Sequence, residues 1–305
     1  MEGAMKIAMR KANMIVELTP TNQQLNNWAT QFVPDKDLFF IEEKDLTAFG
    51  EDLNNVLVIS RKEFLAHPSY RRVDFANSYL YWNISRQAEY IIVAPPIWIT
   101  QLSKQKKRHI FDIQLKMERG LIFPISFFPC IPKELIDYVL EEKFVVLQFD
   151  MWSKLPNDIK INAIEKYALL WDDWTCYEVP KDVPGYIKKF ANRFSNIPGS
   201  NCLSATLFAL TKQEWILDEW VHQETFKQSL LNAQYITVMD QLKTADIVTW
   251  VNEDQIIQHA AYHIGNHLFF NKNGQTVFNP MKIIHWNQLS EQWGKNTIII
   301  YRKKA

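Results

Sequence analysis

Residues 245–274 read ADIVTWVNEDQIIQHAAYHIGNHLFFNKNG, and this stretch decides the fold class. Short runs of β-branched and aromatic residues alternate in it with polar turn residues, a pattern that predicts strands. The dipeptides Gly265-Asn266 and Asn273-Gly274 are expected to turn the chain between successive strands. The predicted strands are Ile247 to Val251, Ile256 to Ile264 and His267 to Phe270. We therefore expect an antiparallel sheet in this part of the chain.

Helices are expected before this sheet. One helix is predicted to begin at Cys202, and Thr211 with Glu214 has the pattern of a capping box that opens a longer one. A further strand is expected from Thr276 to Phe278. Helices followed by short, turn-linked strands are typical of the α+β class, in which helices pack on an antiparallel sheet. We expect such a domain over residues 156–305.

The first half of the chain is expected to form a separate α/β or α+β domain over residues 1–155, because short apolar runs alternate there with helical patterns. A boundary near residue 155 is indicated by Ser153, Pro156 and Asn157, which interrupt the apolar pattern. The predicted strands of this domain are Leu38 to Ile41, Val56 to Ile59, Tyr90 to Val93 and Phe144 to Phe149. The domain contains no internal repeat and no chemical motif, so its sequence assigns it no role.

The composition argues against several classes of partner. Lysine plus arginine and aspartate plus glutamate number 34 each, so no net charge attracts nucleic acid. No apolar stretch reaches about 18 residues, so no membrane span is expected. Residues 1–20 lack the apolar core of a secretory signal, which predicts a cytoplasmic protein, or a secreted one if a leader has been removed. The cysteines, Cys130, Cys176 and Cys202, are odd in number and far apart, which argues against a disulfide framework.

Cys202 is the candidate nucleophile because it begins a predicted helix. Ser200 and Asn201 before it are good cap residues. The free N–H groups and the dipole of a first helical turn favour thiolate over thiol, and they can also bind an oxyanion. A buried structural cysteine is the alternative, and it is the commoner fate of an intracellular cysteine.

His259 and Asn271 are the candidate partners of this thiol. His259 lies in a predicted strand, which can hold its imidazole facing a neighbouring helix as a base for the thiol. Asn271 follows the Gly265-Asn266 turn on the next strand, and its side-chain oxygen can orient an imidazole. A short hairpin can bring the two residues together, although several strand registers remain open.

Taken together, these motifs resemble the NlpC/P60 superfamily of papain-like cysteine peptidases and amidases. Members of that family have a nucleophilic cysteine at a helix start, then a Gly-Asp strand, a histidine strand ending in glycine, and a third polar residue. Cys202 matches the nucleophile, and Ala245 to Val248 match the Gly-Asp strand. His259 to Gly265 match the histidine strand, and Asn271 takes the place of the third residue, which is often histidine. The resemblance covers the carboxy-terminal half of the chain.

The sequence departs from the family pattern at several positions. Cys202 is followed by Leu-Ser-Ala, where the family has Ser-Gly-Leu. Asn201 replaces the usual aspartate, and Ala245 replaces a glycine. The family's tyrosine upstream of the nucleophile has no clear match, although Tyr186 is available. The chain therefore resembles a divergent member, and these departures weaken most the inference of a substrate.

The resemblance implies a cysteine hydrolase that cleaves an amide bond in a small peptide-like substrate through a Cys202-His259-Asn271 triad and a thioacyl-enzyme. Peptides derived from the cell wall are one such substrate class. An acyltransferase that uses the same triad is one alternative, and a non-catalytic binding protein that kept the fold is another. No cofactor is implied.

Two other groups of polar residues have simpler interpretations. His259, His263 and His267 are spaced by four, which would suit a metal site on a helix. The segment has the pattern of strands, however, and no HExxH motif or cysteine pair accompanies it, so no metal is expected. Asp172 and Asp173 are expected on a loop or a solvated face, because adjacent carboxylates do not face each other.

Overall fold

The computed structural model describes residues 14–70, 85–118, 121–130 and 132–304. The described residues form two compact units, one from within residues 1–20 and 171–305 and the other from within residues 21–170. Residues 1–13, which were considered above for a secretory signal, lie outside the described residues.

These unit boundaries differ from the expected boundary near residue 155. The strand Ile15–Glu17 pairs antiparallel with Thr175–Tyr177, so the amino-terminal strand belongs with the carboxy-terminal part of the chain. The helix Asn157–Ala168 packs on the helix Asn22–Gln31 and therefore belongs to the unit of residues 21–170.

The unit of residues 21–170 is an α+β structure whose described strands all pair antiparallel, which decides against the α/β alternative. With Ile15–Glu17 as β1, its elements in chain order are α1 (Asn22–Gln31), β2 (Asp37–Ile41), α2 (Glu43–Leu46), β3 (Leu57–Ser60), α3 (Arg61–Ala66), β4 (Tyr90–Ala94), α4 (Pro96–Gln101), α5 (Lys104–Lys116), β5 (Leu121–Pro124), β6 (Val139–Leu140), β7 (Phe144–Leu147), α6 (Phe149–Lys154) and α7 (Asn157–Ala168). Short 3-10 helices lie at Gly50–Asn55, Pro68–Tyr70, Ile125–Phe127 and Lys133–Tyr138. The strands form two three-stranded sheets, β2-β4-β3 and β5-β7-β6. The strands expected in this half are confirmed to within one or two residues.

Strand β2 forms hydrogen bonds on both sides. On one side it pairs with β4. On the other side, the buried Gln114 side chain of α5 donates to the Phe40 carbonyl at 2.8 Å and accepts from the Phe40 N–H at 2.9 Å. The amide of Gln114 thus occupies the backbone groups of Phe40 as a further strand would.

The other unit is built around a six-stranded antiparallel sheet. Its elements are β8 (Thr175–Tyr177), α8 (Gly185–Phe190), α9 (Cys202–Thr211), a 3-10 helix (Glu214–Asp218), α10 (Gln223–Asn232), β9 (Tyr235–Val238), β10 (Ile247–Val251), β11 (Ile257–Gly265), β12 (Leu268–Lys272), β13 (Met281–His285), α11 (Trp286–Trp293) and β14 (Thr297–Lys303). The strand order in the sheet is β13-β12-β11-β10-β14-β9. The predicted antiparallel sheet and the α+β class are confirmed.

Two local predictions in this unit are wrong. No strand forms from Thr276 to Phe278, because Asn279 Oδ1 accepts from the Thr276 N–H at 3.1 Å and closes a turn, and the strand follows as β13. No long helix starts at Thr211, because Lys212 adopts a left-handed conformation (φ 66°) that ends α9. A 3-10 helix and a separate helix, α10, follow instead.

The two faces of the sheet are covered by different helices. Helix α9 packs on β11 and β12, where Phe208 contacts Phe270 in a core that also includes Ala260. A second core, which includes Trp250 and Phe269, lies beside α11. Because successive strand residues point to opposite faces, the residues of β11 and β12 alternate between these two cores.

Candidate active site

Cys202 is the first residue of α9, and the helix start is capped as the sequence predicts. Asn201 Oδ1 accepts from the Ser204 N–H at 2.9 Å, and Ser204 Oγ accepts from the Asn201 N–H at 2.7 Å. Asn201 Nδ2 also donates to the Val221 carbonyl at 2.8 Å, which ties the cap to the following segment. The reciprocal bonds satisfy two N–H groups at the start of the helix, so the thiol lies on a well-defined first turn.

Burial controls the ionisation of the Cys202 thiol. Although part of the residue's surface reaches solvent, removal of the sulfur from water raises the thiol pKa to about 11. Hydrogen bonds from the backbone amides of Ala260, Leu203 and Cys202 act in the opposite direction, as does the charge of Lys272. The thiol pKa therefore moves upward, opposite to the direction that the helix start alone predicts.

His259 and Asn271 lie in direct contact. Their side chains are almost fully buried, and His259 Nε2 is 2.5 Å from Asn271 Oδ1. Because an amide oxygen can only accept, Nε2 carries the imidazole proton and Nδ1 is the basic nitrogen. Trp293 stacks on the imidazole with ring centroids 4.7 Å apart and an angle of 4°, while Trp250 contacts the ring at 5.6 Å. The ring is therefore held in one orientation.

The same burial weakens the basicity of the imidazole. Removal from water lowers the pKa of His259 to about 4, and the hydrogen bond to Asn271 only partly opposes this shift. With the thiol pKa at about 11, both groups are neutral at neutral pH. The thiol and the imidazole therefore do not form an ion pair in the resting protein.

Cys202 lies next to the strand that carries His259. The backbone amide of Ala260, the residue that follows His259, lies near enough to the Cys202 sulfur to lower the pKa of the thiol. Both Cys202 and His259 are described, and among the hydrogen bonds of the described residues none joins the sulfur directly to the imidazole.

A β-bulge lies at His259. In the pairing of β10 with β11, Trp250 lies opposite His259 and Val251 lies opposite Ile257, so Gln258 is an extra residue. The imidazole contacts two tryptophans on the α11 side of the sheet, while Ala260 faces α9 and the thiol. The imidazole and the thiol therefore lie toward opposite faces of the sheet, and the structure brings His259 together with Asn271 but not with Cys202.

Lys272 is a site residue that the sequence analysis missed. It is fully buried in β12, directly after Asn271. Its ammonium donates to the Thr276 carbonyl at 3.0 Å and to the Asn279 carbonyl. A lysine at the end of an apolar strand is normally expected to be exposed, so only its place between Asn271 and the turn residues could have drawn attention to it.

Asp172 and Asp173 lie in a loop, as expected, but only Asp173 is solvated. Lys282 Nζ lies 2.8 Å from Asp172 Oδ1 and 3.0 Å from Asp173 Oδ1, and the side chains of Lys282 and Asp172 are almost fully buried. Both carboxylates reach one ammonium because Asp172 and Asp173 lie in a loop before β8. Lys282 faces Asn271 across β12 and β13, so this ion pair lies beside the candidate site.

Tyr186 does not lie at the thiol. Its hydroxyl donates to the Ala209 carbonyl at 2.8 Å, near the carboxy-terminal end of α9. Ala209 is seven residues after Cys202, which is about 10 Å along a helix. Tyr186 therefore does not replace the tyrosine that the resembled family has beside its nucleophile.

His263 and His267 do not join His259. His263 Nδ1 is 2.7 Å from the Lys243 carbonyl, and its ring contacts Phe269. His267 has a left-handed backbone conformation (φ 58°) in the turn before β12. Across the part of the chain that the structure describes, no group of three His, Cys, Asp or Glu side chains is arranged to hold a metal ion.

A cleft of about 310 Å³ lies beside the segment that leads to Cys202. Its walls come from the chain between Lys189 and Ile197, from Leu217 and Asp218, and from Met281. Ser195 on this wall is 3.4 Å from the buried Ser200, two residues before the thiol. A cleft of this size can accommodate a small ligand.

Comparison with known proteins finds no matching family model, no similar curated protein and no matching solved structure. Among the described residues, the helices are all too short or too polar to span a bilayer. The interpretation of the site therefore depends on its own geometry.

Proposed function

We propose that this chain is a papain-like cysteine hydrolase of the NlpC/P60 type that cleaves an amide bond in a small peptide-like substrate. The contact between His259 Nε2 and Asn271 Oδ1 carries the proposal, because it leaves Nδ1 as a base with a fixed direction. The proximity of Cys202 to Ala260 supports it further, since it places the thiol against the strand that carries the histidine, although on the opposite face of the sheet.

Catalysis would begin from neutral groups. Proton transfer requires the end of β11 to turn the imidazole from the α11 face toward the α9 face when substrate binds. As the Cys202 sulfur then attacks the substrate carbonyl, its proton passes to His259 Nδ1 and the carbonyl oxygen becomes an oxyanion. The backbone N–H groups at the start of α9 stabilise this oxyanion. The C–N bond then breaks, the imidazolium gives its proton to the leaving amine, and the acyl group remains on sulfur as a thioester.

Deacylation follows the same route in reverse. His259 Nδ1 takes a proton from water, the hydroxide attacks the thioester carbonyl, and the imidazolium returns the proton to the departing sulfur. Asn271 keeps the imidazole in the required tautomer throughout. An amine that replaced water at this step would make the protein an acyltransferase. Apolar side chains around His259, including the stacked Trp293, exclude water from these proton transfers.

A non-catalytic binding protein is the second candidate. The raised pKa of the Cys202 thiol and the lack of a direct hydrogen bond from the described thiol to His259 favour it. The cleft lined by residues 189–197, Leu217, Asp218 and Met281 would then hold a ligand without chemistry.

Acylation and turnover separate the two candidates. We expect p-nitrophenyl acetate to acetylate Cys202, as read by peptide mass spectrometry, and dipeptide and γ-glutamyl aminomethylcoumarin amides to report turnover. Cys202→Ala should abolish both signals, and the matched control Cys176→Ala should retain them. Asn271→Ala removes a buried hydrogen bond worth about 1–3 kcal/mol, so it should reduce the rate roughly tenfold to a hundredfold. Turnover that survives in Cys202→Ala, or a wild-type protein that is never acylated at Cys202, would contradict the proposal.

A further inference from the structure

The cleft of about 310 Å³ combines apolar walls with charges of both signs. Its charged lining residues are Lys189, Arg193 and Asp218. Leu217 and Met281 are buried and belong to the core beside α9, so part of the wall is the folded core itself. The apolar lining residues are Phe190, Phe194, Ile197, Leu217 and Met281. A volume of this size is at the lower end for sites that bind small molecules.

The backbone of the segments that line the cleft is fixed. The Arg193 N–H donates to the Met281 carbonyl at 3.2 Å, and the Met281 N–H donates to the Arg193 carbonyl at 2.9 Å. These two bonds attach Arg193 to the start of β13. The 3-10 helix Glu214–Asp218 is attached to the same core through the buried Leu217. The cleft is therefore preformed, and a ligand does not have to order its walls on binding.

The fold leaves Arg193 and Asp218 without partners. Among the ion pairs and hydrogen bonds of the described residues, none includes the Arg193 guanidinium or the Asp218 carboxylate, so these two groups do not pair with each other either. Lys189 Nζ, in contrast, lies 2.5 Å from Glu214 Oε2, so its charge is already matched. Both Arg193 and Asp218 are exposed, and a ligand can therefore reach them from solvent.

We propose that this cleft binds a zwitterionic ligand of the amino-acid type, either a free apolar α-amino acid or a dipeptide with the same two charges. The Arg193 guanidinium binds the ligand's carboxylate through parallel N–H donors. The Asp218 carboxylate accepts from the ligand's ammonium, and the apolar walls contact its side chain. A ligand with only one of the two charges would be attracted by one of these residues and repelled by the other. The inference does not depend on the proposed function, because it involves no step at Cys202.

Equilibrium dialysis of the full chain with radiolabelled L-leucine and L-phenylalanine tests the proposal. The competitors are unlabelled L-leucine, L-leucinamide, which lacks the carboxylate, and N-acetyl-L-leucine, which lacks the ammonium. We expect saturable binding, and we expect each of the two analogues to compete about tenfold to a hundredfold less well than L-leucine, because a hydrogen bond between charged groups is lost. L-leucyl-L-leucine carries the two charges further apart, so its affinity relative to L-leucine tells a dipeptide site from a site for a single amino acid.

Two variants connect each side chain with one group of the ligand. Arg193→Gln should weaken binding of L-leucine by about tenfold to a hundredfold, whereas L-leucinamide should bind at least as well as it does to the wild type. Asp218→Asn should remove the preference for the free ammonium in the same way, with N-acetyl-L-leucine as the reference. Arg193→Lys keeps the charge and should retain part of the preference for the carboxylate. Lys189→Gln is the matched control, since it removes the cation that Glu214 already pairs, and it should bind as the wild type does.

Three results would overturn the proposal. The first is that neither amino acid binds saturably, and the second is that the wild type binds L-leucinamide or N-acetyl-L-leucine as tightly as L-leucine. The third is a preference for the free carboxylate that survives in Arg193→Gln. Urea unfolding shows whether each variant is folded, and Arg193→Lys decides if Arg193→Gln is not. The measurement needs no turnover, so a failure to find catalysis would count against the proposed function alone.

Discussion

At the scale of single residues, burial keeps the imidazole of His259 neutral and makes the folded chain less stable in acid. Its folded-state pKa of about 4 lies below the ordinary value of 6.5. Between these two pH values the unfolded chain binds a proton that the folded chain does not. Stability from this group is therefore complete above pH 6.5 and is lost as the pH falls toward 4.

This linkage gives a measurable prediction. The difference of 2.5 units between 6.5 and 4 corresponds to about 3 kcal/mol of unfolding free energy. We expect His259→Gln to remove most of that loss between pH 6.5 and 4, as measured by urea unfolding at a series of pH values. The comparison must be with wild type, because Asp37 also contributes to the pH dependence. Burial raises the pKa of Asp37 to about 7, so its contribution to the unfolding free energy changes with pH in the opposite direction. Parallel pH profiles for the variant and wild type would contradict a neutral buried His259.

The sequence predicted some residues of this site and not others. Cys202 at a helix start, Asn201 as its cap and Asn271 beside His259 follow from local patterns of capping and strand alternation. The ionisation of the thiol does not, because it depends on burial by side chains that are distant in sequence. Lys272 was missed for the same reason, because the Thr276 and Asn279 carbonyls point toward its ammonium only after the connection between β12 and β13 has folded.

At the scale of elements, the connection between β12 and β13 depends on Gly274. This residue has φ 116°, and a Cβ added to it would lie 2.6 Å from Asn279 Oδ1. That oxygen is fixed by hydrogen bonds from Thr276, so it cannot easily move away. The connection also carries the two carbonyls that bind Lys272, so its geometry and that of the thiol site are linked.

We expect Gly274→Ala to lower the unfolding free energy by about 2 kcal/mol or more, since strain at positive φ adds to the steric conflict. Gly185→Ala is a suitable control, because Gly185 begins α8 with open space around its Cα. Alanine is the better helix former there, so that variant should be neutral or slightly stabilising. Urea unfolding of the two variants checks this, and equal stabilities would show that the connection tolerates a side chain.

Element boundaries were predictable where the apolar pattern was long. Ile247–Val251 forms the strand with the expected limits, and the other strands of residues 245–274 shift by one or two positions. The errors arise where side chains bond to the backbone. Asn279 closes a turn through Thr276, and the left-handed Lys212 ends a helix where a capping pattern predicted the start of another. Such interactions override propensity, and a pattern of apolar residues does not report them.

At the scale of the whole molecule, the unit that contains the candidate site is discontinuous in sequence. Strand β1 pairs with β8, and the Leu18 N–H donates to the Trp174 carbonyl at 2.9 Å. Pro20 and Trp171 therefore lie close together, and residues 21–170 form a compact unit between them in the chain. Composition changes only weakly at these two positions, so the sequence placed one boundary near residue 155 instead.

A shortened chain tests this division. We expect a variant in which a short Gly/Ser linker joins Pro20 to Trp171 to fold cooperatively, as measured by urea unfolding. A chain that begins at Trp171 lacks β1 and should unfold at a lower urea concentration, because β8 loses its partner strand. If the linked chain does not fold, the two units are not independent. If the two shortened chains have the same stability, the pairing of β1 with β8 does not stabilise this unit.

The side chain of Gln114 has a consequence for self-association. A strand at the edge of a sheet exposes backbone groups that can template the addition of another chain, which is a common start of aggregation. Gln114 fills those groups at Phe40 with its own amide. The purely apolar sequence LFFI of Leu38 to Ile41 is thereby kept from edge-to-edge association, by a residue 74 positions away in the chain.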